Sequence, residues 1–454
     1  MFRAYDVRGL TPEPLSPAFA TALGRALAAL GHQASVHQFV VGRDGRHSSA
    51  ALARAVSAGL LQSGVDVIDI GLAPTPVLYY AAHVLTSGNG VMVTASHNPP
   101  DYNGFKVDLN GLPLDGQQWG FVQRAMEQGH FLEGTASARR ESVIDAYVDE
   151  IRQRIRLGQP LKIVIDGSNG PGGEILCRVL RELGCEVECL GCEVDGSFPC
   201  HAPDPSQPGT YNALRERVRG TGADIGFMLD GDGDRLGVVD ASGEIVWPDS
   251  LLMLFAKDVL QRSPGASVVF DVKCSSRLPE AVRAYGGQPV MWKSGHALTR
   301  RKMAEMGAML AGEFSGHILC ADEWFGFDDG IYAACRLARI IADSGQSAQQ
   351  VLDALPRSFS TPEFRIDLKE GEASQVMARL IDKMSFGDGR VNTIDGIRVE
   401  FDHGWALVRA SNTLPALTLR FEADSQAYLK QMRRRMETWV NSALEQETKV
   451  TLVE

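Results

Sequence analysis

No long unbroken apolar run is present in the chain, which excludes a helical membrane span. The first residues, Met1-Phe2-Arg3-Ala4-Tyr5-Asp6, are charged at once and lack the apolar core of an export signal. Basic charge is in deficit: 45 Lys and Arg stand against 56 Asp and Glu, a net charge of −11. That balance argues against nucleic acid or an anionic membrane as partner, although a few basic side chains in one cleft can still hold an anionic substrate. Nucleotide signatures are missing too: no G-x-x-x-x-G-K-[ST] occurs, and the glycines between residues 167 and 173 do not fit G-x-G-x-x-G. The eight cysteines, without an export signal, are expected to be free thiols in the cytoplasm. Cys185, Cys189, Cys192, Cys200 and His201 cluster, but only Cys189 and Cys192 have C-x-x-C spacing and no second pair follows. Free thiols are therefore favoured over zinc.

What is present points to an α/β protein of several domains. At 454 residues the chain is too long for one core, and its 47 glycines suit many strand-to-helix turns. Ser16-Pro17 reads as the N-cap and first-turn proline of a helix with Phe19, Leu23, Leu27 and Leu30 on one face and Gly31 at its end. Phe39-Val40-Val41 is a strand running into Gly42-Arg43-Asp44-Gly45-Arg46. A helix from about Ser48 then carries Leu52, Val56 and Leu60 and stops at Gly64, before a strand over residues 65–71. The same opening of buried strand, polar turn and helix recurs at Lys162-Ile163-Val164-Ile165-Asp166 and at Ser267-Val268-Val269-Phe270-Asp271, a weak internal repeat. Domains are expected at residues 1–141, 142–243, 244–355 and 356–454. A linker lies near residues 354–362, and the last unit reads as α+β.

Four stretches carry chemistry. After the short strand Val91-Met92-Val93 comes the loop Thr94-Ala95-Ser96-His97-Asn98-Pro99-Pro100-Asp101-Tyr102-Asn103-Gly104-Phe105-Lys106, at a strand end where α/β sheets place ligands. Its prolines and Asn-Gly pair forbid a helix and can hold the Ser96 hydroxyl in a set direction. His97 and Lys106 can both handle protons. Serine alone is a poor nucleophile, so Ser96 needs a base, a metal or a prior modification. Asp230-Gly231-Asp232-Gly233-Asp234-Arg235 follows the strand Ile225-Gly226-Phe227-Met228-Leu229, and three carboxylates separated by glycines can converge on one hard cation such as Mg²⁺. An EF-hand would place Glu where Ala241 stands. In Gly312-Glu313-Phe314-Ser315-Gly316-His317 a carboxylate and a hydroxyl two residues apart can grip neighbouring sugar hydroxyls. Arg409-Ala410-Ser411-Asn412-Thr413, followed by Arg420, has the guanidinium and short polar side chains of a phosphate cradle. Each of the four also reads as an ordinary polar turn when taken alone.

Together these stretches and the opening Phe2-Arg3-Ala4-Tyr5-Asp6-Val7-Arg8-Gly9 resemble the α-D-phosphohexomutase superfamily, most closely its bacterial phosphomannomutase/phosphoglucomutase branch. The motifs keep the family's order and span the chain. The resemblance implies a four-domain, heart-shaped architecture of three similar α/β domains plus a C-terminal α+β domain. It implies a cytoplasmic monomeric isomerase that moves a phosphoryl group between the 1- and 6-positions of mannose and glucose phosphates. Ser96 would be the phosphoserine and, with Asp230, Asp232 and Asp234, would hold one Mg²⁺. Arg8, His97, Lys106 and Arg235 would serve catalysis, and Tyr5, Lys273 and His296 would contact substrate. Glu313, Phe314, Ser315, Gly316 and His317 would read the sugar. Arg409, Ala410, Ser411, Asn412 and Thr413 would hold the non-reacting phosphate. Glucose 1,6-bisphosphate would be intermediate and activator. Cys200 and Ala202 stand where close relatives are expected to have Asn and His, and Phe314 where Met is common.

The implied chemistry is electrostatically reasonable. Phosphoserine brings roughly two negative charges to the three aspartates, and Mg²⁺ with Arg8, Lys106 and Arg235 offsets them, as a loose phosphoryl-transfer transition state requires. Lys106 is the expected general base, with His97 assisting and His317 as rival. Three alternatives remain: phosphoglucosamine mutase, a metal-dependent phosphatase, and a binding-only relative. The P-P-D-Y-N-G-F-K continuation and the G-E-F-S-G-H loop speak against the first, and a phosphatase has no need of a second phosphate cradle. The intact Ser96, aspartates and Lys106 speak against the third.

Overall fold

In the computed structural model, which describes residues 1–369, 371–411, 415–444 and 450–451, three successive units repeat one strand order. Each begins with a strand that becomes the centre of its sheet: Gln38–Arg43, Lys162–Asp166 and Ser267–Asp271. The second strand pairs parallel on one side, as Asp66–Leu72, Glu186–Leu190 and Gln288–Trp292. The third pairs parallel on the other side, as Gly90–Val93, Ile225–Leu229 and Leu310–Gly312. A fourth then adds antiparallel to the third, as Tyr102–Leu109, Leu236–Asp240 and Ile318–Cys320. The connection between third and fourth strands has no helix, so the chain leaves the carboxyl end of a central strand and turns straight back. That connection holds Ser96 in the first unit, the aspartates in the second and Glu313 in the third.

The local signals explain most element boundaries. The Ser16 hydroxyl accepts from the Phe19 amide and starts the helix Pro17–Gln33, which overruns the stop expected at Gly31. That helix packs on Ser49–Gln62 at Gly24 and Gly59, where an added Cβ would lie 2.2 and 2.1 Å from backbone oxygens of the facing helix. The first unit has its own apolar core around Leu27, Val41, Val56 and Phe105. The second and third units share one core, which Thr75–Thr86 enters from the first unit. The strand Ile245–Val246 pairs with Val238 and Val239, so the second sheet runs past the edge expected at residue 243. The fourth unit is an antiparallel sheet with the helices Glu372–Asp382 and Gln426–Asn441 packed on its core, an α+β unit. Among the described residues no helix is long and apolar enough to cross a membrane.

Two expectations are corrected. Cys177 and Cys189 are joined, and Cys192 Sγ lies 3.5 Å from Cys177 Sγ, so these cysteines are not all free thiols. The sequence showed the C-x-x-C pair but not that the helix Gly173–Glu182 brings Cys177 beside it. Arg420 does not belong to a phosphate cradle. It is buried between the third and fourth units, donating to Asp249 Oδ2 at 2.9 Å and to the Lys273 carbonyl, with its guanidinium 3.6 Å over the Phe314 ring. Arg398 donates to the carbonyls of Val272 and Cys274 at 2.6 and 2.8 Å, and Glu422 accepts from Ser275 and Ser276.

Removing Arg420 leaves the Asp249 carboxylate buried without its cation, a loss of about 3–5 kcal/mol. Arg420→Ala is therefore expected to loosen the fourth unit and speed tryptic cleavage at the exposed Arg357 of the connector. A cleavage rate equal to wild type would show that the docking does not depend on this pair.

Candidate active site

The three helix-free connections face one cavity, together with Arg409 and Ser411 at the end of the strand Gly404–Ala410. The first unit contributes Tyr5, Arg8, Ser96, His97 and Lys106, and the second contributes Arg235. Lys273, His296, Glu313, Phe314, Ser315 and His317 come from the third, Arg409 and Ser411 from the fourth. Asp230, Asp232 and Asp234 lie beneath this wall, fully buried. Gly316, at φ 102°, turns the sugar loop, and Ala410 ends its strand just before Ser411. Asn412 and Thr413 lie outside the described residues.

Ser96 is buried and held at φ 51°, in the left-handed region that a serine seldom adopts. Its hydroxyl donates to Asp230 Oδ2 at 2.7 Å and lies 3.2 Å from His97 Nδ1. Arg46 holds the loop in place. Its guanidinium donates to the carbonyls of Ser96 and Asn98, each at 2.7 Å, and to those of Pro99 and Tyr102 at 2.5 and 3.0 Å. Asp44 braces Arg46 at 3.1 Å and accepts from Thr94 at 2.7 Å. Arg8 donates to Asn98 Oδ1 at 2.6 Å and is paired with Asp6 at 2.8 Å.

Burial and the mutual repulsion of its neighbours push Asp230 well above the usual carboxylate range. Burial acts on Asp232 in the same direction, but Lys106 and the Thr75 hydroxyl outweigh it and hold that carboxyl below the range. Lys106 Nζ lies 2.7 Å from Asp232 Oδ2 and also contacts Asp234 Oδ2, while Oδ1 of both aspartates is buried without a hydrogen-bond partner. One carboxylate oxygen from each of Asp230, Asp232 and Asp234 lies within 4.8 Å of the others, an all-oxygen donor set that fits Mg²⁺. The same contacts bear on Lys106, the expected general base. Burial would lower its pKa, but Asp232 and Asp234 raise it and favour the ammonium form. His97 differs: burial first, then Arg235, hold it well below the usual imidazole range, so it is neutral.

In the sugar loop, Glu313 Oε1 accepts from the Gly295 amide at 3.0 Å and from Thr299 at 2.8 Å, and Ser315 donates to Oε2 at 3.2 Å. Phe314 is stacked between Trp247 and Arg420. Arg409 is gripped by Asp395 at 3.0 and 3.4 Å, and Asp395 also accepts from the Ser294 amide across the domain boundary. Lys273 stands between Asp271 and Glu363 at 3.9 and 3.4 Å. No sequence pattern pointed to several supporting residues: Arg46, Thr75, Asp395, Asp328 beside His296 and His317, and Asp204, 3.8 Å from Arg235. Gly42-Arg43-Asp44-Gly45-Arg46 at a strand end was the one available sign, for Arg46.

Four family descriptions match the chain in order. They are phosphoglucomutase/phosphomannomutase alpha/beta/alpha domain I at residues 1–132, domain II at 145–243, domain III at 247–359, and the C-terminal domain at 363–438. The chain is 45% identical to a Pseudomonas aeruginosa phosphomannomutase/phosphoglucomutase over 433 residues, 95% of this chain and 94% of that protein. It is 44% identical to a Neisseria gonorrhoeae phosphoglucomutase over 446 residues, 97% of each. The crystal structure of a phosphoglucomutase/phosphomannomutase family protein from Burkholderia thailandensis matches with TM-score 0.91 at 42% identity, over 97% of each chain.

Arg46→Lys keeps the positive charge but cannot span four carbonyls. Losing two or more charge-assisted hydrogen bonds, each about 1.5–3 kcal/mol, frees the Ser96 loop. Turnover is expected to fall by roughly tenfold or more, with Mg²⁺ affinity measured by calorimetry changing less than turnover, since none of the three aspartates touches Arg46 and only the Ser96 ligand is loosened. Wild-type turnover in the variant would show that the loop holds its shape unaided.

Proposed function

The chain belongs to the phosphoglucomutase/phosphomannomutase family and is a hexose phosphate mutase, and on that premise we propose that it works through a phosphorylated Ser96 and a hexose 1,6-bisphosphate. The observation that carries this reading is the Ser96 hydroxyl, fixed 2.7 Å from Asp230 at the mouth of a carboxylate triad and facing a cavity lined by Arg8, Lys106 and Arg235. Phosphoserine would give its phosphoryl group to the free hydroxyl of the bound sugar phosphate. The bisphosphate so formed would reverse in the cavity and return its other phosphate to Ser96. Mg²⁺, held by Asp230, Asp232, Asp234 and a phosphoserine oxygen, would neutralise charge on the transferring group. Lys106 and Arg235 stabilise the same charge electrostatically.

The substrate is a mannose or glucose phosphate on this reading. Glu313 keeps Oε2 beside Ser315, so one carboxylate oxygen and one hydroxyl are placed to grip adjacent sugar hydroxyls that both hexoses share. Arg409 and Ser411 supply the distal phosphate site. All these groups come from one chain, which supports a monomer. A coupled assay on the 1-phosphates of mannose, glucose and glucosamine tests the substrate. The first two are expected to turn over and the third to be at least about tenfold slower. Equal or better turnover of glucosamine 1-phosphate would favour the amino-sugar mutase. Mass spectrometry of the Ser96 peptide tests the mechanism: a site that never carries phosphate under turnover rules it out.

Arg409 bears on retention of the intermediate. A bidentate guanidinium–phosphate contact is worth about 1.5–3 kcal/mol, or roughly ten- to a hundredfold in retention. Arg409→Ala is therefore expected to raise KM and to depend on added glucose 1,6-bisphosphate, because bisphosphate that escapes leaves Ser96 unphosphorylated. A slower variant that gains no such dependence would restrict Arg409 to substrate binding.

A further inference from the structure

Asp328 is fully buried in the segment just before the helix Gly330–Asp343. Its Oδ2 lies 3.2 Å from His296 Nδ1 and 2.9 Å from His317 Nδ1. The two imidazoles are stacked, with centroids 5.1 Å apart and planes at 19°. No backbone amide or hydroxyl among the described residues donates to either Asp328 oxygen. Its neighbour Asp329 is the contrast, accepting from Tyr147, Trp324 and the Tyr332 amide. Asp328 therefore has two ring nitrogens as its nearest polar neighbours, at ion-pair distance, and a buried carboxylate facing bare nitrogen lone pairs would carry the full cost of an unsatisfied charge.

A second contact fixes one of these rings independently. Arg235 Nε donates to His317 Nε2 at 3.0 Å, and a guanidinium has no acceptor to offer, so His317 Nε2 must be the unprotonated nitrogen. His317 then carries its proton on Nδ1, towards Asp328. Among the described residues His296 Nε2 is buried without a hydrogen-bond partner, and His296 lines the cavity. With its proton held on Nδ1, it presents a bare acceptor to whatever occupies the site.

We propose that Asp328 is a positioning residue that holds His296 and His317 together as Nδ1–H tautomers. Through His317 it keeps the Arg235 guanidinium aimed at the transferring phosphate. Through His296 it offers a hydrogen-bond acceptor to a hydroxyl of the bound sugar. The roles of phosphate and sugar rest on the mutase reading above; the tautomers do not. Neither histidine carries out its task alone, since an imidazole with its proton on Nε2 would present a donor to the Arg235 donor or to the cavity.

The test combines tautomers with kinetics on the full-length, Mg²⁺-loaded protein. Nitrogen-15 spectra of histidine-labelled wild type, assigned with His296→Asn and His317→Asn, are expected to show both rings protonated at Nδ1. A ring protonated at Nε2 overturns the proposal whatever the substrate proves to be. Asp328→Leu removes both acceptors at similar size and is expected to return His296 to the Nε2–H form. It should lower kcat by roughly 10–100-fold while KM moves less than about threefold. Asp328→Asn keeps an oxygen acceptor and is expected to retain the Nδ1–H tautomers and to recover a clear part of the lost kcat. Equal kcat in the Leu and Asn variants overturns the proposal. If the Leu variant does not fold, the wild-type and Asn spectra decide the question by themselves.

Discussion

Three carboxylates brought together out of water set the terms for the rest of this molecule. Asp230, Asp232 and Asp234 are fully buried, and Asp232 and Asp234 raise the cost of charging Asp230. The protein meets that cost with charge from another domain, Lys106 of the first unit, and with Thr75, which donates to Asp232 at 2.6 Å. The two loops must therefore interlock closely. An added Cβ at Gly231 would lie 2.5 Å from the Ser96 carbonyl oxygen, so the spacing of the aspartates by glycine serves the approach of the serine loop as well as the convergence of the acids. Among the described residues nothing donates to Oδ1 of Asp232 or Asp234, and these are oxygens that a metal ion could take as ligands.

Charge is then handed outward along buried contacts. Arg235 stands between Asp204 and His317, and His317 leads through Asp328 to His296. On the far side of the cavity Asp395 holds both the Arg409 fork and the Ser294 amide, tying the fourth unit to the third. A phosphate arriving at Arg409 competes with Asp395 for the same bidentate geometry. On the proposed role of Arg409, substrate binding and the position of the fourth unit would be coupled for that reason, whereas Arg420 and Arg398 supply docking contacts between the third and fourth units.

Much of the fold was legible because its signals are local. Ile225–Leu229 and Ser267–Asp271 were readable as apolar runs, and Ser16 as a cap. The repeat was visible only at its first strand, which is followed by a polar turn and a helix each time. Its functional register was hidden, because the three equivalent connections share no common motif: one carries Ser-His-Asn, one Asp-Gly-Asp, one Glu-Phe-Ser. Motif residues were legible as groups. Their partners were not, since Arg46 is 50 residues from Ser96, and Asp328 follows His296 with a helix and two strands between. Arg420 was misread because alternation along a strand shows which face a side chain takes, not which domain covers that face.

The serine loop shows why such distant partners matter. The second and third units ease the turn at the equivalent connection with Gly233 at φ 77° and Gly316 at φ 102°. The first unit has no such freedom, because the residue at φ 51° must keep its hydroxyl. A side chain in the left-handed region costs roughly 1–2 kcal/mol. Four hydrogen bonds from the buried Arg46, each worth about 1.5–3 kcal/mol when charge-assisted, exceed that cost even if half their value goes to desolvating the guanidinium. The conformation of Ser96 is thus imposed from outside the loop by a residue at the end of the first central strand, and the loop's own prolines serve mainly to exclude alternatives.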